Sequence, residues 1–488
     1  MQRRLTLICV LCVLFIPLAG YSAAAQPRPA GLPFQVYLPI VRGPPAPPNP
    51  FGFDLRTHIN DAVIGYVTGA NPKWTRAGDV LWSDIEPVRG GGYRWEVLAQ
   101  VEANVRRLRS AGVEPTLVVQ RSPAWAQRTP GRLCSPPKPE YVGDFVKFMA
   151  ALAARYSSGD TAVHYWEIWN EPDFSPAEAP DVGGYGCWAD SSLPYHGGAY
   201  YGEVLKRIYP AIKAANPNAV VLGGALYYFW PDESVSRSFL NGILSTGAGN
   251  AMDALSFHAY GEWGANDLLV NKTLRLRAIL NSRGLTNKPL FATEIAATCG
   301  FSSTCPPNFH QTQANYAARI YAEAAALGLQ GAFWFTLAIN DPGFQSSQLI
   351  DDDAGKLTPR PSYYAFLNSA LLLQDARYIG PPMKVLSADQ LNQVQVLTFH
   401  KDRSSFPALK GAPVTLYVLW VPQIDFPQLY NLQVPPGAQA VCADELNLNP
   451  HDPDPLQQPH FYMCSDTNND GMIPRAVNGL PKYVEVIQ

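Results

Sequence analysis

From residue 51 to about 374 the chain repeats one pattern: a short apolar run, a polar turn, then a longer segment with apolar residues three or four apart. Runs at 52–55, 79–85, 115–120, 163–169, 220–225, 254–260, 290–295 and 332–337 read as strands. Between them, segment 96–110 places Leu98, Val101, Val105 and Leu108 on one helical face, and segments 141–156, 200–216, 273–283 and 311–327 behave alike. Ala111-Gly112 and Asn216-Pro217 are the stops expected where a helix gives way to the next strand. This alternation predicts an α/β fold, a (β/α)8 TIM barrel over residues 51–376. A doubly wound open sheet is the alternative, and the Gly-rich turn it normally carries after its first strand is missing here.

Beyond residue 378 the helical period stops. Runs at 394–399, 414–421, 430–434, 438–443, 461–464 and 483–487 are split by Pro, Gly, Asn and Asp, which predicts a small antiparallel β-sandwich over 377–488. At the other end, Arg3 and Arg4 precede an apolar stretch to Gly20, followed by Ser22-Ala23-Ala24-Ala25. Residues 1–25 therefore read as a signal peptide and the mature protein as exported (extracellular, cell-surface or periplasmic), with uncleaved anchoring the alternative. Residues 26–50 form a Pro-rich segment and linker, with one apolar stretch at 34–41.

Composition narrows the class. The chain is 47% hydrophobic and 16% charged with a formal net charge of −3, so it buries a large core and offers no basic footprint for nucleic acid or anionic lipid. Of its 8 cysteines, Cys9 and Cys12 leave with the signal. An even remainder in an exported chain points to disulfides, and among the possible pairings we take the pairs adjacent in sequence: Cys134–Cys187, Cys299–Cys305 and Cys442–Cys464.

Chemistry in such barrels sits at the C-terminal ends of the strands. The fourth predicted strand ends in Trp169-Asn170-Glu171-Pro172 and the seventh in Thr293-Glu294. Strands four and seven lie nearly opposite in an eight-stranded ring, so two carboxylates can face each other across a cleft, the arrangement glycoside hydrolysis requires. With these motifs the sequence resembles the clan A retaining glycoside hydrolases. Trp82-Ser83-Asp84-Ile85-Glu86-Pro87, His258-Ala259-Tyr260 and the C-terminal β region make it most similar to glycoside hydrolase family 39, the β-xylosidase-like group. The resemblance implies Glu171 as general acid/base, Glu294 as nucleophile and Asn170 as a ligand of the sugar 2-hydroxyl.

His258 and Tyr260 are two residues apart and point to one side of their strand, where Tyr260 can hold Glu294 and His258 can meet a sugar hydroxyl or the nucleophile. Trp334 is the candidate floor for an apolar sugar face, with Trp125, Trp82 and Trp263 as weaker subsite candidates and His58 and Arg56 within reach of the sugar. Glu86 reads as a loop anchor and Glu167 as a buried, partnered carboxylate. Asp466 to Gly471 imitates the start of a calcium loop, but Val477 stands where such a loop needs a bidentate Glu, so a hairpin turn is the better reading. No cofactor or metal is implied: a metal-dependent barrel hydrolase needs a His-x-His on strand one, which offers Asp54 and a single His58. The sequence thus points to an exported glycosidase acting on carbohydrate, against the alternative of a binding barrel that has lost turnover.

Overall fold

A computed structural model describes residues 49–55, 59–175, 186–227, 234–262, 268–299, 305–338, 346–353, 355–422, 427–443 and 461–487. The predicted signal peptide, nearly all of the Pro-rich segment, His58, Arg56 and Trp263 lie outside the described residues. Eight parallel strands close a barrel in sequence order: β1 (Phe51–Asp54), β2 (Trp74–Leu81), β3 (Glu114–Gln120), β4 (Tyr165–Ile168), β5 (Val220–Leu226), β6 (Ala254–Glu262), β7 (Leu290–Thr298) and β8 (Gly331–Phe335). The TIM barrel expected from the repeat is therefore present. Seven strands coincide with the expected runs to within a few residues, but the second does not. It occupies 74–81, while Trp82–Ile85 is a helical turn. Trp82 and Ile85 are both buried one turn apart, and a short apolar run does not reveal by itself which period it follows.

Three helices lie outside the periodic segments recognised in sequence: Asp61–Ala70, Ser234–Ser245 and Pro361–Leu373. The first is announced by Asn60, whose side chain caps it by accepting from the Val63 N–H at 2.9 Å. Helix Pro361–Leu373 is buried through most of its length, so its apolar positions do not form a stripe that contrasts with a polar face.

Inside the barrel, side chains from alternate positions stack in layers. The lowest is aromatic and aliphatic: Trp74, Tyr165, Leu222, Ala254, Phe291 and Phe333 pack together. Gly52 belongs to this layer because a Cβ there would sit 2.6 Å from Phe333 Cδ1. Two residues further along the same faces the chemistry changes, since Gly52, Trp74, Tyr165 and Phe291 are followed by Asp54, Arg76, Glu167 and Thr293, all buried. Period-2 alternation thus builds a polar layer directly on an apolar one, toward the C-terminal ends of the strands.

Behind the barrel, antiparallel sheets form the C-terminal region. A six-stranded sheet runs in the order Arg377–Tyr378, Gln395–Lys401, Val414–Trp420, Lys482–Ile487, Ala440–Ala443 and Phe461–Met463, and Gln428–Gln433 pairs with Met472–Val477. Tyr483 from this sheet reaches Ser369 on helix Pro361–Leu373 at 2.9 Å, which joins the two regions. Asp351 and its neighbours form a short hairpin of Ile350–Asp353 with Lys356–Pro359, where Asp351 pairs with Arg360. Disulfides join Cys134–Cys187, Cys299–Cys305 and Cys442–Cys464. Among the described residues no helix is long and apolar enough to cross a membrane.

Candidate active site

Arg76 is the hub of the polar layer and is 2% exposed. Its Nε donates to Glu167 Oε2 at 2.9 Å, Nη1 to Asp54 Oδ2 at 3.2 Å and to Glu294 Oε1, and Nη2 to Asn170 Oδ1 at 2.6 Å. Burial alone would weaken its hold on the proton, but the charges of Glu167, Glu294 and Asp54 reverse that and keep its pKa well above the usual arginine value. Glu167 is completed by Thr293, whose hydroxyl donates to Oε1 at 2.7 Å, so its expected place as a buried, partnered carboxylate is confirmed.

Sequence reasoning missed Arg76 because it placed strand two five residues too late. The available signal was an arginine two positions after Trp74, in a run that also carries Thr75 and Asp79.

Glu294 reaches the cleft through an irregularity in β7. Phe257 of β6 opposes Ala292, but the next residue, His258, opposes Glu294, and Ala292 and Ile295 oppose Ala332 and Trp334 on β8. One extra residue therefore enters β7, so that Thr293 and Glu294 both face inward. A regular strand would have turned Glu294 toward the helices. Re-aiming a side chain beside an active site is a recurrent use of such bulges. The Tyr260 hydroxyl donates to Glu294 Oε2. Burial, with the charges of Glu294 and Glu171, pushes the Tyr260 phenol well above its usual pKa, so it stays a neutral donor.

On the opposite side, the chain leaves β4 through two residues in the left-handed region, Trp169 at φ 71° and Glu171 at φ 47°. Such backbone is costly for residues other than glycine and persists where the surroundings fix it. Here the Glu171 N–H donates to Ala225 O at 3.0 Å. His258 Nδ1 lies 2.9 Å from Glu171 Oε1 and 3.5 Å from Glu294 Oε2. Glu171, His258 and Glu294 each offer an atom within 4.8 Å of the others. A Glu–His–Glu set can in principle bind a cation, but the Arg76 guanidinium and the Tyr260 hydroxyl already point at the Glu294 oxygens that such an ion would use.

Asn170, Glu171, His258, Tyr260 and Glu294 thus meet at one place. Trp334 does not join them. It alternates with inward-facing Phe333, is 0% exposed, packs 6.1 Å from Tyr316 on the surrounding helix Phe309–Ala326 and donates its N–H to Ser347 O. The inward residue is the next one, Phe335, which stands edge-on to Tyr260 at 5.9 Å. Trp82 is likewise core, 0% exposed between Phe145 and Phe148, with its N–H on Glu86 Oε2 at 2.8 Å. Glu86 anchors that loop as expected. Trp125 is half-buried, edge-on to Trp82 and Tyr141, and donates to Glu86 O at 2.9 Å. The Asp466 carboxylate accepts backbone N–H groups of Gly437, Asp470 and Gly471, the bonding of a turn.

No protein-family model matches the chain, and no curated protein matches it by sequence. Solved structures do. A family 39 glycoside hydrolase from Bacteroides cellulosilyticus WH2 superposes with a TM-score of 0.64 at 19% identity, covering 91% of this chain and 81% of that one. A monomeric beta-xylosidase from Caulobacter crescentus CB15 gives 0.55 at 18% identity over 91% and 97%. A GH30 endoxylanase from Clostridium papyrosolvens C71 gives 0.59 at 12% identity over 91% and 98%. In fold, the chain is similar to glycoside hydrolases of families 39 and 30.

Proposed function

We propose that the protein is an exported retaining glycoside hydrolase that cleaves β-linked poly- or oligosaccharides, with β-xylosidase-like specificity the first choice. The observation that carries this reading is the pair Glu171 and Glu294, which approach from opposite sides of the barrel so that a carboxylate oxygen of each and a ring nitrogen of His258 all lie within 4.8 Å of one another. Retaining enzymes hold their carboxyl groups about 5–5.5 Å apart, and inverting enzymes about 6.5–9.5 Å.

In this reading Glu294 attacks the anomeric carbon while Glu171 gives its proton to the departing glycosidic oxygen. A glycosyl ester on Glu294 results. Glu171, now ionised, takes a proton from water, and the water oxygen displaces Glu294 with a second inversion, so the β configuration is restored. Arg76 and Tyr260 supply the charge and the hydrogen bond that keep Glu294 anionic and fix its direction of attack. Asn170 has its carbonyl oxygen held by Arg76, so its amide nitrogen is the group turned to the sugar 2-hydroxyl. His258 Nδ1 is hydrogen-bonded to Glu171 Oε1 and so fixes its direction, and Phe335 takes the place given to Trp334 as an apolar wall.

The test is a panel of aryl α- and β-glycosides with the mature protein, run beside Glu294→Ala. Turnover of a β-glycoside that disappears in the variant is the expected result and names the sugar. Silence on the panel and on polysaccharides, with glycan binding retained, would instead establish a binding barrel without turnover.

A further inference from the structure

The segment that follows Glu171 is held by a second stretch of chain bearing one end of a disulfide. Residues 186–189 lie along residues 170–174. The Gly186 N–H donates to Asn170 O at 2.9 Å, the Trp169 indole to Gly186 O at 3.0 Å, the Cys187 N–H to Phe174 O at 2.8 Å and the Ala189 N–H to Pro172 O at 3.0 Å. Trp188 stands edge-on to Trp169 at 5.1 Å. Cys187, buried, is bonded to Cys134 in the loop after β3, a link across 53 residues. The backbone of Trp169 and Glu171 is left-handed, a conformation that needs such outside support.

We infer that the 186–189 strap, pinned by Cys134–Cys187, is a positioning device for the general acid: it holds Glu171 where its proton meets the leaving oxygen. The inference rests on the role proposed for Glu171. The strap reaches the nucleophile only indirectly, through Asn170 and Arg76, whereas Glu294 itself is fixed from β2 and β6 by Arg76 and Tyr260. Opening the strap therefore impairs the acid's half of the chemistry more than the nucleophile's. Displacement of a catalytic group by about 1 Å costs roughly 100-fold, and general acid catalysis as a whole is worth about 10²–10⁴-fold.

The experiment measures kcat/KM of the full mature protein for aryl glycosides over a range of leaving-group acidity. Wild type is compared with Cys134→Ala/Cys187→Ala and with Cys299→Ala/Cys305→Ala as the control. A poor leaving group needs the acid's proton, whereas a dinitrophenolate leaves without it. We expect the first double variant to lose roughly 10–100-fold on poor leaving groups and little on the dinitrophenyl substrate, while the control keeps a uniform profile. Equal losses at every leaving group, or none, would overturn the inference. Where the variant fails to fold, dithiothreitol-treated wild type is measured alongside a thermal melt. Unfolding of that form, with Cys299→Ala/Cys305→Ala and Cys442→Ala/Cys464→Ala both folded, would assign the Cys134–Cys187 bridge to global stability and overturn the inference too. Failure of the wild type on all substrates would instead strike the proposed function itself.

Discussion

Arg76 in the barrel and Lys401 in the C-terminal sheet are both nearly fully buried cations met by carboxylates, yet their surroundings are balanced differently. Lys401 faces one acid. Its ammonium bonds Glu485 Oε1 at 2.7 Å, Leu372 O at 2.8 Å and the Ser405 hydroxyl. Glu485 in turn accepts the Ser404 hydroxyl and the Ser405 N–H. This is a closed one-to-one pair, and because Leu372 lies on helix Pro361–Leu373, it ties the sheet to the barrel. Arg76 instead serves three acids, Asp54, Glu167 and Glu294, with Asn170 as a fourth acceptor. Three carboxylates share one cation here, so none has a partner to itself, and the arrangement is a poor way to gain stability. It is a good way to hold one charged oxygen rigid at the edge of a cleft. Balanced burial marks a joint here, and unbalanced burial marks a site.

Arg76→Met should produce the largest change. It strands three buried acids, so unfolding free energy should fall by about 3–5 kcal/mol in denaturant titration, and kcat/KM by about 10²–10³-fold or more. Arg76→Lys keeps the charge but not the fork, and should recover stability before activity. Retention of full turnover in Arg76→Met would break the comparison.

Lys401→Met should cost a similar 3–5 kcal/mol or so while leaving kcat of the folded enzyme unchanged. Pairing it with Glu485→Leu should restore most of the loss, since both buried charges then disappear. A kinetic effect from Lys401 would mean that the joint communicates with the site. Glu167→Gln is a finer test: it relieves the charge excess at Arg76, so we expect stability to hold within about 1 kcal/mol while kcat falls roughly tenfold. Unchanged kcat would show that Glu167 merely fills the layer.

The smallest effect concerns alkaline pH. Burial holds the phenols of Tyr260 and Tyr321 protonated well above their usual range. Unfolded tyrosine titrates near pH 10. The folded state therefore keeps these protons while the unfolded state loses them, and the stability they contribute is whole below about pH 10 and declines above it. Phenolate absorbance from these buried residues should rise together with loss of activity. Phenolate appearing while activity persists would show that Tyr260 is not needed as a donor.

Much of this was legible in the sequence, and the exceptions share a cause. Strand four with its Trp169–Pro172 motif and the shared side of His258 and Tyr260 follow from period and spacing, while the three sequence-adjacent cysteine pairs are one choice among the possible pairings. What escaped depends on register. Arg76 was lost because an apolar helical turn at Trp82–Ile85 imitated the end of a strand. Trp334 faces the helices and Phe335 the cleft because Phe333 packs inward against Trp74 and Phe291, a register the sequence of β8 alone does not mark. The inserted residue that turns Glu294 inward leaves no mark in β7 alone, because it exists only in the pairing with β6 and β8.

The central claim is that Glu294 attacks and Glu171 supplies the proton. It is tested most directly by trapping the reaction with the 2-deoxy-2-fluoro analogue of the accepted β-glycoside and mapping the labelled peptide by mass spectrometry. The account predicts one covalent sugar, attached to Glu294, and no label in Glu294→Ala. A label on another residue, or steady turnover with inversion at the anomeric carbon and no adduct, would contradict it.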